Sequence, residues 1–308
     1  MKIAVAICTA NRPEALLAAL ASCFDQARPP DEILVIDDGR LDDHLLANWR
    51  RRAEAQSVRL LHHRKPPERR GLTRSRNLAL ELAESPVIFF LDDDAQLHRD
   101  ALAYLELVFN LDVDRQIAGA DFPIVEAARQ KIGRQVIEQL YRYAGLWSVL
   151  RRYHRPGPLG GKLGRLSFLE QTPDLQGGAL AARVRTLREV GGFDERLPGH
   201  GMGEDKEISA RLYRRGRLVR ITACPVHHFS HPGGRENAVQ SGRETVYNYL
   251  RINIRAFPIG VGEALMLAWT VGGLFAIELA FAMAGDRAFH RGQLRGMAIG
   301  LWDWVRGR

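Results

Sequence analysis

The chain has 308 residues, of which 46% are hydrophobic and 26% are charged, and this ordinary globular composition predicts one large domain with an appendage. The formal net charge of +8 favours anionic partners such as nucleotides or anionic lipid, whereas the absence of a basic block with interleaved aromatic residues argues against nucleic acid. The three cysteines (Cys8, Cys23 and Cys224) have no metal-site spacing and their number is odd, so a disulfide framework is not expected and a reducing cytoplasm fits best.

Short apolar runs alternate with helical patterns along the N-terminal third of the chain. The apolar runs predict strands at residues 3–7, 32–36, 58–61 and 87–91. A turn at 9–13 opens a helix whose core positions recur at helical spacing (Leu16, Leu20 and Cys23), and residues 71–83 form the next predicted helix. This alternation predicts an α/β fold with a doubly wound, mostly parallel sheet.

Acidic residues follow two of these strands at the carboxyl edge of the predicted sheet. Asp37 and Asp38 end the second strand, where a carboxylate can accept a base N–H or a ribose hydroxyl, although an Asp-Gly turn is the simpler alternative. Asp92, Asp93 and Asp94 follow the fourth strand. Three adjacent carboxylates repel one another, so Mg²⁺ or Mn²⁺ holding a diphosphate is one prediction and an acidic helix cap is the alternative.

Two further segments have residues suited to ligand binding, namely a pair of arginines and a pair of glycines. Arg74 and Arg76 lie at the start of a predicted helix, where a guanidinium suits an anion, although exposed surface arginines are common. Gly177 and Gly178 would permit close approach of the backbone to a ligand.

Two clusters near residue 200 and beyond add titratable groups. Glu204 and Asp205 precede an amphipathic helix and either cap it or supply a general base. Three histidines within five residues (His227, His228 and His231) make one imidazole ligand to the metal plausible.

Six motifs together resemble those of family 2 glycosyltransferases with the GT-A fold. They are the turn at 9–13, VIDDG at 35–39, GLTRSRN at 71–77, FLDDDA at 90–95, GGFDE at 191–195 and GEDKEISARL at 203–212. Their order and spacing match over about residues 1–230.

The resemblance implies a role for each matching residue. Asp205, with Glu204 beside it, would be the catalytic base, and the metal ligands would be Asp94, Asp92 and a histidine, His227 before His228. The nucleotide and donor would be bound by a larger set: Thr9, Asn11, Arg12, Asp37, Asp38, Arg76, Asp92, Asp93, Gly177 and Gly178.

The activity implied by the resemblance is an inverting, Mn²⁺- or Mg²⁺-dependent transfer of a sugar from a nucleotide-diphosphate sugar to a hydroxyl of a glycan or lipid-linked acceptor. One alternative is a sugar-nucleotide nucleotidyltransferase, but the turn at 9–13 lacks the glycines of a phosphate loop. The other is a non-catalytic membrane-bound scaffold of the same fold, against which Asp205 and the three aspartates count.

Two segments depart from the pattern of the predicted domain at 1–250. Residues 129–175 are predicted to be a helical and loop insertion, whose aromatic residues form core or line an acceptor site (Tyr141, Tyr143, Trp147 and Tyr153). The tail at 251–308 has a charge-free run at 264–277, three tryptophans (Trp269, Trp302 and Trp304), and seven arginines against four acids.

The tail is predicted to be helical and to attach the protein to an anionic membrane surface, on the cytoplasmic side. The alternative is a helix buried against the domain or in a homodimer. A narrower resemblance of the tail (Arg243, Tyr247, Asn253 and Arg255) to membrane-attached, rhamnosyltransferase-like enzymes implies a bacterial role in cell-envelope polysaccharide biosynthesis.

Overall fold

The computed structural model describes residues 1–126, 157–197, 201–229, 237–256, 259–284 and 287–307. They form two compact units. The first contains the described residues of 1–128, 154–195 and 204–231, and the second those of 129–153, 196–203 and 232–308. The predicted boundary at residue 250 lies inside a helix and stays a prediction, and residues 129–156 of the predicted insertion, with its four aromatic residues, lie outside the described part.

The first unit contains eleven described strands and six described helices. The strands are β1 (Ile3–Thr9), β2 (Glu32–Asp37), β3 (Arg59–Arg64), β4 (Val87–Asp92), β5 (Ala95–Leu97), β6 (Ile117–Asp121), β7 (Ile124–Glu126), β8 (Leu169–Gln171), β9 (Ala179–Arg183), β10 (Arg217–Ile221) and β11 (Val226–His228). The helices are α1 (Pro13–Phe24), α2 (Ala47–Ala55), α3 (Leu72–Leu82), α4 (Ala101–Leu111), α5 (Val184–Glu189) and α6 (Glu204–Tyr213). Short 3₁₀ turns lie at Asp43–Leu46, Pro67–Arg69 and Leu163–Arg165.

Eight strands form the central sheet in the order β3-β2-β1-β4-β9-β6-β10-β8. The pairs β3–β2, β2–β1, β1–β4 and β6–β10 are parallel, while β9 runs antiparallel between β4 and β6. A separate three-stranded sheet has the order β5-β11-β7. The predicted α/β class with a mostly parallel sheet is confirmed.

The central sheet is covered on both sides because side chains alternate along each strand. In β1, Val5 packs with α1 and α4 on one side, whereas Ala6 packs with α3 and α6 on the other. Leu16, Leu20 and Cys23 are buried in α1, as their spacing predicted. Since β1, β2 and β4 are parallel, their carboxyl ends meet at one edge, and the acidic motifs lie there.

The second unit consists, in its described part, mainly of α7 (Ala238–Ala256), α8 (Val261–Ala284) and α9 (Arg287–Val305). Their shared core includes Val246, Leu250, Leu267 and Met297. By length and composition alone α8 could cross a membrane, and 22% of its most apolar window is buried. Buried core helices of soluble proteins pass the same test of length and composition.

Candidate active site

Asp93 is the inward-facing member of the three aspartates that end β4. Thr9 Oγ1 donates a 2.7 Å hydrogen bond to Asp93 Oδ2, and Arg12 Nη1 donates one of 3.1 Å to Asp93 Oδ1. Burial raises the pKa of Asp93, while Thr9 and Arg12 act in the opposite direction. Asp93 therefore joins the ends of β1 and β4 to the start of α1.

Asp92 and Asp94 meet a histidine, and Asp94 Oδ2 also lies 3.4 Å from Arg12 Nη1. One ligand atom from each of Asp92, Asp94 and His228 lies within 4.8 Å of the others. His228 Nε2 is 3.0 Å from Asp94 Oδ1, and this hydrogen bond, as the largest cause, raises the pKa of His228. Carboxylate oxygens with one imidazole are a donor set that suits Mn²⁺, so these residues fit a divalent cation.

The small sheet selects which histidine reaches the carboxylates. Strand β11 pairs with β5 so that His228 is opposite Ala95, the residue after Asp94, and Phe229 N–H donates to the Asp94 carbonyl at 2.9 Å. His227 is exposed, because neighbouring residues of a strand face opposite sides. The sequence named both histidines and favoured His227, whereas His228 is the one that lies beside Asp94; the metal ligands stay a prediction, and His231 lies outside the described residues.

Arg76 is a buried cation at the centre of the site. Its Nη2 is 3.2 Å from Asp92 Oδ1 and 2.9 Å from the Gly177 carbonyl oxygen, and its Nη1 is 2.7 Å from Glu204 Oε1. Burial acts against the charge of Arg76, but the nearby carboxylates, Glu204 before Asp92, raise its pKa overall. The guanidinium also lies 5.4 Å from the centre of the Phe193 ring. Arg76 therefore links the carboxylates of β4 to those of α6.

Glu204 and Asp205, the first two residues of α6, have different surroundings. Glu204 is buried, its Oε2 has no hydrogen-bond partner among the described residues, and burial raises its pKa to about 8. Asp205 is half-buried and accepts N–H bonds from Gly177 at 3.4 Å and from Lys206 at 2.8 Å. Asp205 is thus the more accessible of the two for an incoming hydroxyl.

Gly177 and Gly178 separate the two carboxylate groups. A Cβ at Gly177 would lie 2.6 Å from Glu204 Oε1, and one at Gly178 would lie 2.8 Å from Asp92 Oδ2. A larger residue at either position would therefore displace one of these carboxylate groups, because the acidic side chains pack directly on the backbone. The Gly177 N–H donates to Asp205, and Asp92 lies against Gly178. The candidate base and a candidate metal ligand therefore meet at two adjacent glycines.

The aspartates at the end of β2 divide their roles in a similar way. Asp37 is fully buried, and its oxygens accept the N–H groups of Gly39 at 2.6 Å and Leu41 at 3.0 Å, so it shapes the loop. Asp38 accepts the Gly71 N–H at 2.7 Å and lies 2.9 Å from Lys65 Nζ. Asp38 is thus held at the start of α3.

Asn11 closes the same edge of the site. It adopts a left-handed backbone with φ of 57°, and its Oδ1 accepts the Arg40 N–H at 3.2 Å. A Cβ at Gly39 would come within 2.6 Å of the Asn11 nitrogen, so the loops after β1 and β2 touch backbone to backbone.

Two residues of the site were missed from the sequence. Lys65 is buried and its Nζ donates to Ser75 Oγ at 2.7 Å; it directly follows β3, but the predicted third strand ended at residue 61, which hid this signal. Asn77 exchanges hydrogen bonds of 2.7 and 3.0 Å with the backbone of Phe193, tying two of the motifs together. Arg74, by contrast, is exposed and lies 3.8 Å from Glu195.

Comparison with known proteins gives one family match. The profile described as "Glycosyl transferase family 2" matches residues 4–191, more than half of the chain. Polypeptide N-acetylgalactosaminyltransferase 4 from Caenorhabditis elegans is 24% identical over 250 residues, which cover 73% of this chain. The chain spans only 38% of that relative's length.

Several solved structures share the fold. GalNAc-T7 with UDP, GalNAc and Mn²⁺ has a TM-score of 0.58 at 19% identity, covering 92% of this chain and 57% of that one. The mannosyltransferase PcManGT from Pyrobaculum calidifontis, in complex with GDP-Man and Mn²⁺, has a TM-score of 0.58 at 16% identity, covering 98% and 87%. S. aureus TarS 1–349 with UDP-GlcNAc has a TM-score of 0.58 at 13% identity, covering 100% and 93%. The fold is therefore that of the GT-A glycosyltransferases.

Proposed function

We propose that this chain, which belongs to glycosyl transferase family 2, is an inverting, metal-dependent enzyme that transfers a sugar from a nucleotide-diphosphate sugar to a hydroxyl of a glycan or lipid-linked acceptor. The observation that carries the proposal is the approach of two acidic groups across Gly177 and Gly178. One group fits a cation and the other contains a half-buried, accessible carboxylate.

The donor would lie along the carboxyl edge of the sheet. Asp38, held by Lys65 and the start of α3, lies at the end of β2, where a carboxylate can bind a ribose or base. Related folds are known with UDP, UDP-GlcNAc and GDP-Man, and with Mn²⁺, which supports a nucleotide-sugar donor of this general kind. A divalent cation at Asp92, Asp94 and His228 would neutralise the diphosphate leaving group.

Asp205 supplies the base in this proposal. It takes the proton of the acceptor hydroxyl while that oxygen attacks the anomeric carbon opposite the departing diphosphate, which inverts the configuration. Glu204 is unsuited to the same role because it is buried and its Oε1 is 2.7 Å from Arg76 Nη1, which leaves it less open to an incoming hydroxyl than Asp205.

The test is donor turnover by the variant Asp205→Asn. The rate constant kcat should fall by about 10² to 10⁴ while donor affinity changes little, because a general base acts mainly in the transition state. Asp114→Asn, which changes an exposed aspartate outside the site in the same way, is the control and should leave kcat unchanged. An unchanged kcat in Asp205→Asn would contradict the proposal and indicate that Glu204 and Asp205 only cap α6.

A nucleotidyltransferase would give a different result with the same protein. Incubation with a nucleoside triphosphate and a sugar phosphate would release pyrophosphate, whereas the proposed enzyme would release a nucleoside diphosphate from a nucleotide sugar. Pyrophosphate release without nucleotide-sugar turnover contradicts the proposal.

The C-terminal unit supports an additional proposal, attachment to the inner face of the cell membrane in cell-envelope polysaccharide synthesis. Helix α8 exposes several large apolar side chains: Val261, Leu265, Trp269, Leu279 and Met283. From residue 251 onward the chain has an excess of three positive charges, which would favour anionic lipid. The alternative is that a second copy of the chain covers α8 in a homodimer. Measuring the molecular mass of the protein in the absence of lipid distinguishes this dimer from a monomer that attaches to membranes.

A further inference from the structure

A second cleft lies at the opposite end of the central sheet from the proposed active site. It has a volume of about 740 Å³ and is lined by residues that flank the start of β4, β6 and β10 and the end of β9. Strand β4 begins at Val87 beside this cleft and ends at Asp92 in the active site, so the two sites are about 16 Å apart. The cleft volume is within the range of small-molecule sites.

Five arginines line this arginine cleft, and two of them are neutralised locally. Arg183 Nη2 is 2.9 Å from Asp112 Oδ2, and Arg185 Nε is 2.7 Å from Glu189 Oε1. The remaining three have no carboxylate partner among the described residues: Arg115, Arg188 and Arg215.

The three uncompensated arginines come from separate segments. Arg115 follows α4 in a left-handed turn with φ of 53°, Arg188 lies on α5 and donates to the Leu80 carbonyl at 2.9 Å, and Arg215 follows α6. Arg115 and Arg215 are exposed, and the structure shows no partner for either side chain within the described residues. Glu84 also lines the cleft, but its carboxylate is 3.1 Å from Arg59 Nη2, so about three positive charges at one cavity stay without a carboxylate partner and can attract an anion.

We propose that the arginine cleft binds a diphosphate group of a small molecule, at a site separate from the donor site. Planar guanidinium groups match phosphate oxygens in pairs, and a diphosphate carries the charge that three arginines can balance. The lining residues Pro86, Ile117 and Val184 add an apolar floor that can contact the organic part of the molecule. The proposal concerns this cleft alone and stands whether or not the proposed reaction is correct.

The test is calorimetric titration of the full chain with inorganic pyrophosphate, in EDTA and at about 0.15 M salt, where weak surface attraction is screened. The wild type should bind, and the double variant R115S/R215S should weaken binding at least tenfold. Arg99→Ser removes an exposed arginine outside the cleft and is the matched control. Asp94→Asn, at the other end of β4, should bind pyrophosphate like the wild type.

Other results overturn the proposal. They are no binding by the wild type, equal weakening by Arg99→Ser, or loss in Asp94→Asn with retention in R115S/R215S. Thermal unfolding checks that each variant is folded. If the double serine variant does not fold, R115K/R215K keeps the charge but removes the paired geometry, and it must still weaken binding.

Two further ligands identify the source of the diphosphate. UDP carries it on a nucleoside, and geranyl diphosphate carries it on an isoprenoid chain. Tighter binding of either than of pyrophosphate, abolished in R115S/R215S, supports the site and identifies the organic part. Tighter binding of either that survives in R115S/R215S contradicts the proposal.

Discussion

At the scale of single residues, two adjacent carboxyl groups differ because their environments differ. Burial raises the pKa of Glu204, the charge of Arg76 acts against this rise, and the charges of Asp205 and Asp92 add to it. Asp205 turns toward the Gly177 backbone and keeps access to solvent. Burial thus divides the pair into an enclosed carboxyl group with a raised pKa and a half-buried carboxyl group that is open to solvent.

The raised pKa of Glu204 predicts a pH dependence of stability. In the folded protein its pKa is about 8, against an ordinary value of 4.5, so between these two pH values the folded state binds the extra proton. The free energy of unfolding must therefore fall as pH rises through this window. Glu204→Gln removes this titration, so Tm in EDTA should fall less between pH 5 and 8.5 than in the wild type. Parallel Tm profiles for the two proteins would contradict the assignment.

The histidines make a second prediction at this scale. His228→Ala should weaken Mn²⁺ binding, measured by calorimetry or electron paramagnetic resonance, by at least tenfold, because one of three protein ligands is lost. His227→Ala is the control, since it changes the neighbouring exposed residue and should keep wild-type affinity. Equal losses, or a larger loss in His227→Ala, would reject the proposed cation site.

Sequence reasoning at the residue scale could name the candidates but not choose among them. The run Asp92 to Asp94 indicated a cation site, and Asp92 and Asp94 do meet a histidine. The choice of histidine depends on the register between β11 and β5, which are more than a hundred residues apart. No local pattern encodes such a register, and a shift of one residue would reverse the outcome.

At the scale of elements, local pattern predicted the N-terminal strands well. The predicted ends of β1, β2 and β4 lie within two residues of the observed ends. The third strand was predicted to end at residue 61, but β3 continues to Arg64, because the polar residues His62 and His63 interrupt the apolar pattern without ending the strand. Strand β9, with the sequence ALAAR, was not predicted. Alanine has little preference for strands, and β9 is specified by its two neighbours, β4 and β6, rather than by its own residues.

Close helix packing in the second unit predicts that glycine-to-alanine substitutions at two positions change stability in opposite directions. A Cβ at Gly296 of α9 would lie 2.8 Å from the Arg243 nitrogen of α7 and would also touch the Val239 carbonyl oxygen. Gly296→Ala should therefore lower stability by about 1–3 kcal/mol, despite the preference of alanine for helices.

Gly272 of α8 is the matched control, because a Cβ there meets nothing within 4 Å. Gly272→Ala should raise stability, by up to about 1 kcal/mol, through helix propensity alone. Hydrogen exchange of α7, α8 and α9 measures both effects in the second unit itself. Equal protection in Gly296→Ala and the wild type would contradict the close packing.

At the scale of the whole molecule, the chain combines a family fold with a helical unit of unusual surface. The first unit buries its apolar residues on both sides of one sheet, as a doubly wound fold requires. In the second unit, α8 has no charged residue on any side between residues 264 and 277, and Leu265 and Trp269 are 67% and 66% exposed. Exposed apolar patches of this kind mark sites of interaction with a membrane or a partner protein.

Membrane attachment predicts the behaviour of the full chain with lipid. Wild-type protein should sediment with anionic liposomes, and the double variant L265E/W269E should stay in the supernatant, because two charges replace apolar contacts. High salt should release the wild type only in part, since apolar contacts are not screened. Val113→Glu changes an apolar residue that is 80% exposed in the first unit and is the control, which should sediment like the wild type. If wild-type protein stays in solution with anionic liposomes at low salt and light scattering gives a dimer that L265E/W269E dissociates, α8 is a subunit interface instead.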